Sequence, residues 1–511
     1  MQPLHHIAWH LPDALDFQDL RLSLADRFAY KHETDRKRVC RWYDTFDWRL
    51  YRSNYILTRE GQDWILRDLA GKKIDMLRGG RKIYRFSQEF PESSLRDRLA
   101  PILSVRALIE LGRADIHRER LYILNGDKKT VAQIELKKIV SQDGERQSAI
   151  IQLREIRGYS TWMKKVQKYL LDLNIREKAT VADVLLFIAE GSGRHPLDYS
   201  SKYDVPLDPG MTARDAALRI YRYLLTAIRK NEQGVIDDID SEFLHDLRVA
   251  VRRTRSALTL LKGVLDPAIE QRFKKEFKYI GAITGPVRDL DVYLLSRDSY
   301  SQYLPGRLRR GLDIFFDDLA GRRRREQRKM VRAMRGARYR KILDDWENIL
   351  APDAEIMAGK NGNIPIGKLA GKIIHKRFRR VLRDGKKIDV DTPDEELHRL
   401  RIECKKLRYS LEFFSSLYEP KQMRQFIRQL KMLQDNLGDF NDLSVQQNML
   451  ADLLSHVRPG TVKSRELAAA LGGLMTGLFL RHRDVRTRFE NTFAHFSRKK
   501  NLALYHALFG R

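Results

Sequence analysis

Two hydrophobic rhythms divide the chain. Up to about residue 185, apolar residues gather in short runs such as Tyr55-Ile-Leu-Thr, Asp63-Trp-Ile-Leu and Ala149-Ile-Ile-Gln-Leu, separated by turn residues such as Gln142-Asp-Gly. Short runs bounded by turn formers predict strands. Residues 161–173 depart from that rhythm and predict a helix. Next come Gly191-Ser-Gly-Arg-His-Pro and Val205-Pro-Leu-Asp-Pro-Gly, a Gly- and Pro-rich stretch that marks a domain boundary. From Thr212 onward apolar residues recur every three or four positions, so helices are expected almost throughout. The expected class is α+β, with a β-rich unit over 1–190, a linker over 191–211 and an all-α unit over 212–498.

The helical half repeats itself. At a spacing of 153 residues, His245-Asp-Leu-Arg-Val-Ala-Val-Arg-Arg-Thr-Arg-Ser-Ala-Leu aligns without gaps on His398-Arg-Leu-Arg-Ile-Glu-Cys-Lys-Lys-Leu-Arg-Tyr-Ser-Leu. Both read H-x-x-R-x-x-x-[RK]-[RK]-x-R. The same offset carries Lys275 onto Arg428 and Lys278 onto Lys431. It also carries Gly285-Pro-Val-Arg-Asp289-Leu onto Gly438-Asp-Phe-Asn-Asp442-Leu. One offset held over such a stretch marks a duplication. The two copies, about 212–350 and 364–498, should pack as similar bundles about a pseudo-two-fold axis.

Helical geometry sorts the charges. At about 100° per residue, with His245 at zero, Arg248, Arg252 and Arg255 fall at about −60°, −20° and −80°, in one stripe. Leu247, Val251, Thr254 and Leu258 take the opposite side, where a core is expected. His398, Arg401, Lys405 and Arg408 repeat the stripe, and Leu400, Cys404, Leu407 and Leu411 repeat the apolar face. Arg253 and Lys406 fill the second basic position of the pattern. Thr392-Pro-Asp-Glu395 reads as a capping box with Pro at the first helical position.

Like charges at helical spacing repel by a few tenths of a kcal/mol per pair, so each stripe costs stability unless an anion answers it. A lone stripe is as readily a solvated face. Two stripes matched across a duplication favour an anion site. The matched His residues suggest hydrogen bonding to phosphate oxygen. On the next helix Lys275 and Lys278, with Arg428 and Lys431, share a face at i,i+3 and join the candidates. Asp289 and Asp442 suit helix capping or the orienting of nearby Arg side chains. Arg322-Arg-Arg-Arg325 has no counterpart and reads as a solvated face or accessory patch.

Composition adds to this picture. The 97 Lys+Arg outnumber the 68 Asp+Glu in 511 residues, a formal net charge of +29. Such an excess favours polyanions without choosing among DNA, RNA, a membrane surface or a phosphate polymer. Cys40 and Cys404 give neither a disulfide framework nor metal-ligand spacing, which fits a reducing cytoplasm. No signal peptide is read at the N-terminus. The longest uncharged apolar run, 467–480, has 14 residues, too short to span a bilayer, so no membrane partner is expected. No metal or cofactor is expected. No helix-turn-helix, zinc, RNP or glycine-loop signature is present, and the stripes lack interleaved aromatics. Nucleic acid is therefore the less favoured partner.

The duplicated helices, with the Asp-Leu segments after Gly285 and Gly438, resemble the CHAD domain family over about residues 212–498. That resemblance implies two four-helix bundles with a basic cavity that binds inorganic polyphosphate. Carried over residue by residue, it points to His245, Arg248, Arg252, Arg253 and Arg255, and to His398, Arg401, Lys405, Lys406 and Arg408. A polyphosphate-binding module of this kind would recruit the protein to polyphosphate granules. Ahead of it, Trp42-Tyr-Asp-Thr-Phe-Asp-Trp-Arg-Leu-Tyr-Arg52 resembles the CYTH domain, a β-rich tunnel fold of triphosphate-processing enzymes. The departure lies in the chemistry. The family's opening strand carries E-x-E-x-K, whereas the nearest segment, Phe17-Gln-Asp-Leu-Arg21, keeps only Asp19 and Arg21. A later strand has Gln152 and Arg154 where acids are expected, leaving Glu135 and Glu155. Metal-assisted phosphoryl chemistry needs several carboxylates to hold divalent cations. No catalytic residue is assigned, and a CYTH-type triphosphatase stands as the alternative function.

Overall fold

The computed structural model describes residues 6–509 apart from 13, 36, 81, 142, 143, 192, 355, 356 and 459. Gln142 and Asp143 of the expected turn thus lie outside the described residues. The chain divides into two compact units, Met1–Ser200 and Ser201–Arg511.

Among the described residues the first unit has strands β1 (His6–His10), β2 (Tyr30–Thr34), β3 (Arg38–Asp44), β4 (Tyr55–Glu60), β5 (Asp63–Asp68), β6 (Lys73–Leu77), β7 (Ile109–Leu124), β8 (Thr130–Ser141) and β9 (Gln147–Glu155). Its helices are α1 (Phe17–Ala25), α2 (Arg49–Arg52), α3 (Ser94–Leu103), α4 (Ser160–Asp172) and α5 (Val181–Glu190). The strands form one curled antiparallel sheet in the order β1-β9-β8-β7-β3-β4-β5-β6, and β2 pairs with the long β7. The three apolar runs picked out above are β4, β5 and β9, and the helix expected over 161–173 is α4.

Strand periodicity of two separates the faces of β8. Ala132, Ile134 and Leu136 turn to one side and pack with Leu20 and Leu24 of α1 and Met163, Val166 and Leu170 of α4. Glu135, Lys137 and Ile139 turn to the other, which lines a cavity of about 720 Å³.

The opening strand corrects one expectation. It is His6–His10, paired with β9, while Phe17-Gln-Asp-Leu-Arg21 begins α1. Asp16 forces that helix: its side chain accepts from the backbone N–H of Gln18 and Asp19, and the Asp19 carboxylate reaches back to the N–H of Asp16. This reciprocal capping satisfies donors that a strand would have paired with a neighbour.

The helical unit contains α6 (Ala213–Ile236), α7 (Ser241–Leu260), α8 (Pro267–Leu295), α9 (Arg297–Ser301), α10 (Arg309–Met334) and α11 (Ala337–Ile349). It continues with α12 (Ile366–Gly385), α13 (Asp394–Phe413), α14 (Pro420–Ser455), α15 (Val462–Thr487), α16 (Phe489–Ser497) and α17 (Lys499–Phe509). The duplication extends over the whole framework. Helices starting at 213, 241, 267 and 309 have counterparts starting at 366, 394, 420 and 462, each 153 residues on. Within each copy, consecutive long helices pack against one another. Between copies, α7 packs on α13 and α10 on α15, each against its own counterpart, as a two-fold relation requires. On α10, Gly311 lies so close to the Glu466 backbone that a methyl group would not fit.

Three further details refine the expectations. The helical unit runs past residue 498, because Tyr505 of α17 stacks on Phe378 of α12 with ring centroids 3.7 Å apart. The segment expected as a linker is docked at both ends. Asp198 accepts from the Trp48 indole at 2.8 Å in the first unit, and Ser416 donates to the Val205 carbonyl at 3.1 Å in the second. The capping box at α13 does not form. Pro393 precedes the first helical residue and Thr392 donates its hydroxyl to Asp389 Oδ1 at 2.6 Å, so it is not free to cap. Among the described residues no helix is long and apolar enough to cross a membrane.

Candidate polyanion-binding groove

The two basic stripes lie on α7 and α13, the helices that meet across the duplication. Asp240 starts α7 by accepting from Glu242 N and Phe243 N. Leu247, Val251, Thr254 and Leu258 are buried beneath it, as Leu400, Cys404, Leu407 and Leu411 are beneath α13. With the apolar faces held, the opposite faces lie beside each other and form two adjoining cavities. One, of about 390 Å³, takes His245, Arg252 and Arg253 from α7 and Arg401, Lys405 and Arg408 from α13. The other, of about 510 Å³, takes Arg252 and Arg255 from α7, Lys405 and Lys406 from α13, and Lys274 and Lys278 from α8. Arg252, Lys405 and Tyr409 line both cavities and so join them into one groove.

The groove crowds cations together. Burial, with Arg401 and Arg252 alongside, pulls the Lys405 ammonium down to about 8. Burial also lowers the pKa of Arg248 and Arg401, and Arg252 nearby adds to it. Arg248 is held by the Gly281 carbonyl at 2.9 Å and the Thr284 hydroxyl at 3.0 Å. Arg401 donates to Asp442 Oδ1 at 3.2 Å, and its buried Nε has no hydrogen-bond partner. Asp289 and Asp442 sit inside α8 and α14, so neither caps a helix. Each faces the arginine of its own copy, Arg248 or Arg401.

The other candidates divide. Arg253 donates to Glu412 at 3.0 Å and lies over the Tyr203 ring, and Arg408 donates to the same carboxylate at 2.7 Å. Lys406 pairs with Glu403 at 2.7 Å. His398 is exposed and hydrogen bonds to Asn441 at 2.7 Å, outside both cavities, whereas His245 lines the smaller one. Lys278 lines the groove. Lys275 and Arg428 are exposed and line neither cavity, and Lys431 sits 4.0 Å from Asp435. Lys274 lies where Lys275 was expected; its i,i+4 spacing to Lys278 was as good a signal as i,i+3. Glu412 also went unread, although it lies four residues after Arg408. In the Arg322-Arg-Arg-Arg325 run, Arg322 pairs with Asp318 at 2.7 Å and Arg323 bridges Asp291 and Asp238, so half of it is structural.

The sheet unit holds a second charged cavity of different character. Glu60 pairs with Arg67 and Arg118, each at 2.7 Å. Glu135 is surrounded by Arg118, Lys137 and Arg154 at 3.6–3.7 Å. Gln152 accepts from Lys137 at 3.0 Å. Asp19 and Arg21 line no part of this cavity; Asp19 caps α1 and Arg21 pairs with Glu119. Glu155 also lies outside it. Among the described residues no group of three or more His, Cys, Asp or Glu is placed to share a metal ion.

The family model for the CHAD domain matches residues 219–451, within the helical unit. Its match leaves the sheet unit uncovered. Among solved structures, the CHAD domain from the plant Ricinus communis is similar, at 26% identity and a TM-score of 0.47, covering 57% of this chain and 95% of that one. PptA from Streptomyces chartreusis is similar at 16% identity and a TM-score of 0.45, covering 55% of this chain and 99% of that one. No curated protein matches the chain.

Proposed function

We propose that the helical unit binds inorganic polyphosphate, or a similar linear polyanion, along the α7–α13 groove. The observation that carries this reading is the shared wall: Arg252 and Lys405, counterparts in the duplication, line both cavities at once. A long chain of phosphates can therefore meet both stripes in one bound state, and its second contact is intramolecular. The CHAD match supports polyphosphate as the anion. Aromatic side chains for stacking bases are sparse in the groove, Tyr409 being the one that lines it among the described residues, which disfavours single-stranded nucleic acid. Binding to polyphosphate granules in the cytoplasm is the cellular role this activity would serve. The sheet unit is read as a CYTH-like domain whose cavity carboxylates, Glu60 and Glu135, are answered by arginine and lysine, not as a triphosphatase.

Titration with long-chain polyphosphate, orthophosphate, ATP and single- and double-stranded nucleic acid at fixed salt tests the proposal. The polymer should bind far more tightly than orthophosphate, with affinity falling steeply as salt rises because counterions are released. Equal affinity for orthophosphate and polymer, or preference for nucleic acid, would overturn it.

A further inference from the structure

The two cavities are themselves counterparts. Val249, Arg252, Arg253, Arg255, Ser256 and Thr259 of α7 correspond at the 153-residue offset to Ile402, Lys405, Lys406, Arg408, Tyr409 and Glu412 of α13. The smaller cavity uses Val249 and Glu412; the larger uses Ile402 and Thr259 in their places. Thus the duplication has set several of the same positions around both ends of the groove, but carboxylates line only the smaller end, where Glu412 stands with Glu242, Asp246 and Asp435. At the counterpart positions 412 and 259, a carboxylate stands at the smaller end and a hydroxyl at the larger.

Glu412 does there what a phosphate group would do. Its Oε2 accepts from Arg253 Nη2 at 3.0 Å and its Oε1 from Arg408 Nε at 2.7 Å, so one anion ties together a guanidinium from each copy. Its side chain is 15% exposed, so the pairing is largely shielded from solvent. Thr259 supplies no such answer, because its hydroxyl donates to the backbone carbonyl of Arg255 at 2.9 Å. Among the described residues no carboxylate pairs with Arg255, Lys274 or Lys278, which line the larger cavity.

Resting on the polyphosphate reading, we propose that Glu412 is a built-in substitute for the ligand's anion. It closes one end of a pseudo-symmetric groove, and the Arg255–Lys274–Lys278 end is the anchoring subsite. Short polyphosphates bind at the anchoring end alone. A long chain extends past Arg252 and Lys405 and must displace the Glu412 carboxylate to engage Arg253 and Arg408. Glu412 thereby sets the chain length at which the second half of the groove becomes available.

The full chain is tested as wild type, Glu412→Gln and Thr259→Glu, by calorimetric titration with tripolyphosphate and with long-chain polyphosphate over a salt series. Glu412→Gln should tighten the long chain by about tenfold, the scale of one charge-assisted hydrogen bond gained, and steepen its salt dependence. It should leave tripolyphosphate within about twofold of wild type, since that ligand does not reach Glu412. Thr259→Glu places the carboxylate at the anchoring end and should weaken both ligands by about tenfold. Thr259 is exposed, so this second variant keeps the test alive should Glu412→Gln fold poorly. If wild type binds the polymer and neither substitution changes its affinity, the substitute-anion role is wrong and the groove reading survives. Weaker long-chain binding by Glu412→Gln would overturn the role too, by making Glu412 a support for the arginines. If wild type binds no polyphosphate, the groove reading itself falls and this inference with it.

Discussion

The sheet unit and the helical unit both place arginines and lysines around a cavity, and the difference lies in what answers them. In the sheet, Glu60 holds Arg67 and Arg118 at hydrogen-bond distance, and Glu135 sits amid three more contacts. In the groove, Arg252, Arg255, Lys274 and Lys278 have no carboxylate paired with them among the described residues, and burial, with Arg401 and Arg252 beside it, pulls Lys405 down to about 8. A cluster of like charge points to a ligand only where the protein has not already supplied the counter-charge. Buried pairs in the sheet serve the fold; unanswered cations in the groove are available for binding.

The largest expected effect breaks the comparison on the helical side. Replacing both shared-wall cations, Arg252→Ala with Lys405→Ala, should cost long-chain polyphosphate about a thousandfold in affinity at low salt, the scale of two lost charge-assisted contacts. The fold should persist, because each change relieves like-charge repulsion. Titration alongside a thermal melt checks both statements.

On the sheet side the same kind of change should act on stability. Glu60→Gln leaves Arg67 and Arg118 facing each other without a counter-charge and should destabilise the unit by about 3 kcal/mol in urea unfolding, with polyphosphate affinity unchanged. Burial raises the Glu60 pKa, but Arg118 and Arg67 outweigh burial and hold it below the ordinary value. Its contribution is therefore full above about pH 4.5 and is lost as pH falls through the lower folded-state value. Acid unfolding of wild type should show this loss, and Glu60→Gln should not.

A smaller effect comes from pH in the alkaline range. Free Lys405 begins to lose its proton near pH 8, while a bound phosphate chain favours the charged form. Binding should therefore take up protons, and affinity should fall several-fold as pH rises from about 7 to 9. Lys405→Arg should flatten that slope; an unchanged slope would assign it to another group. The smallest contrast separates two adjacent lysines. Lys274→Ala should weaken binding several-fold, whereas Lys275→Ala, outside the groove, should stay within about twofold.

How far the sequence could be read depended on how local each feature is. The helical runs of α7 and α13 were legible because helical periodicity is a property of the segment itself, and the offset of 153 tied them together. The buried faces of both helices followed from the same wheel. The five residues of β1 were not legible: their partner, β9, begins at Gln147, far along the chain, and the run is too short to show alternation. Thr392 had the right neighbours for a cap and was taken by Asp389 instead. At the groove, the stripes could be read but not their partners. Glu412 meets Arg408 locally, yet its other partner, Arg253, lies 159 residues away. Only packing decides that Lys274, not Lys275, faces the cavity.

The meeting of α7 with α13 and of α10 with α15 has a further consequence for what can thread the groove. A site built on a two-fold axis presents the same order of contacts to a ligand laid along it in either sense. A polyphosphate chain has no sense, since its repeating unit is unchanged when the chain is reversed. A nucleic-acid strand has a 5′ and a 3′ end, so a contact made well in one half of the groove would be met backwards in the other. Duplication thus matches a near-symmetric site to a directionless polymer, and the carboxylates confined to the smaller end, Glu412 among them, give the groove a front and a back.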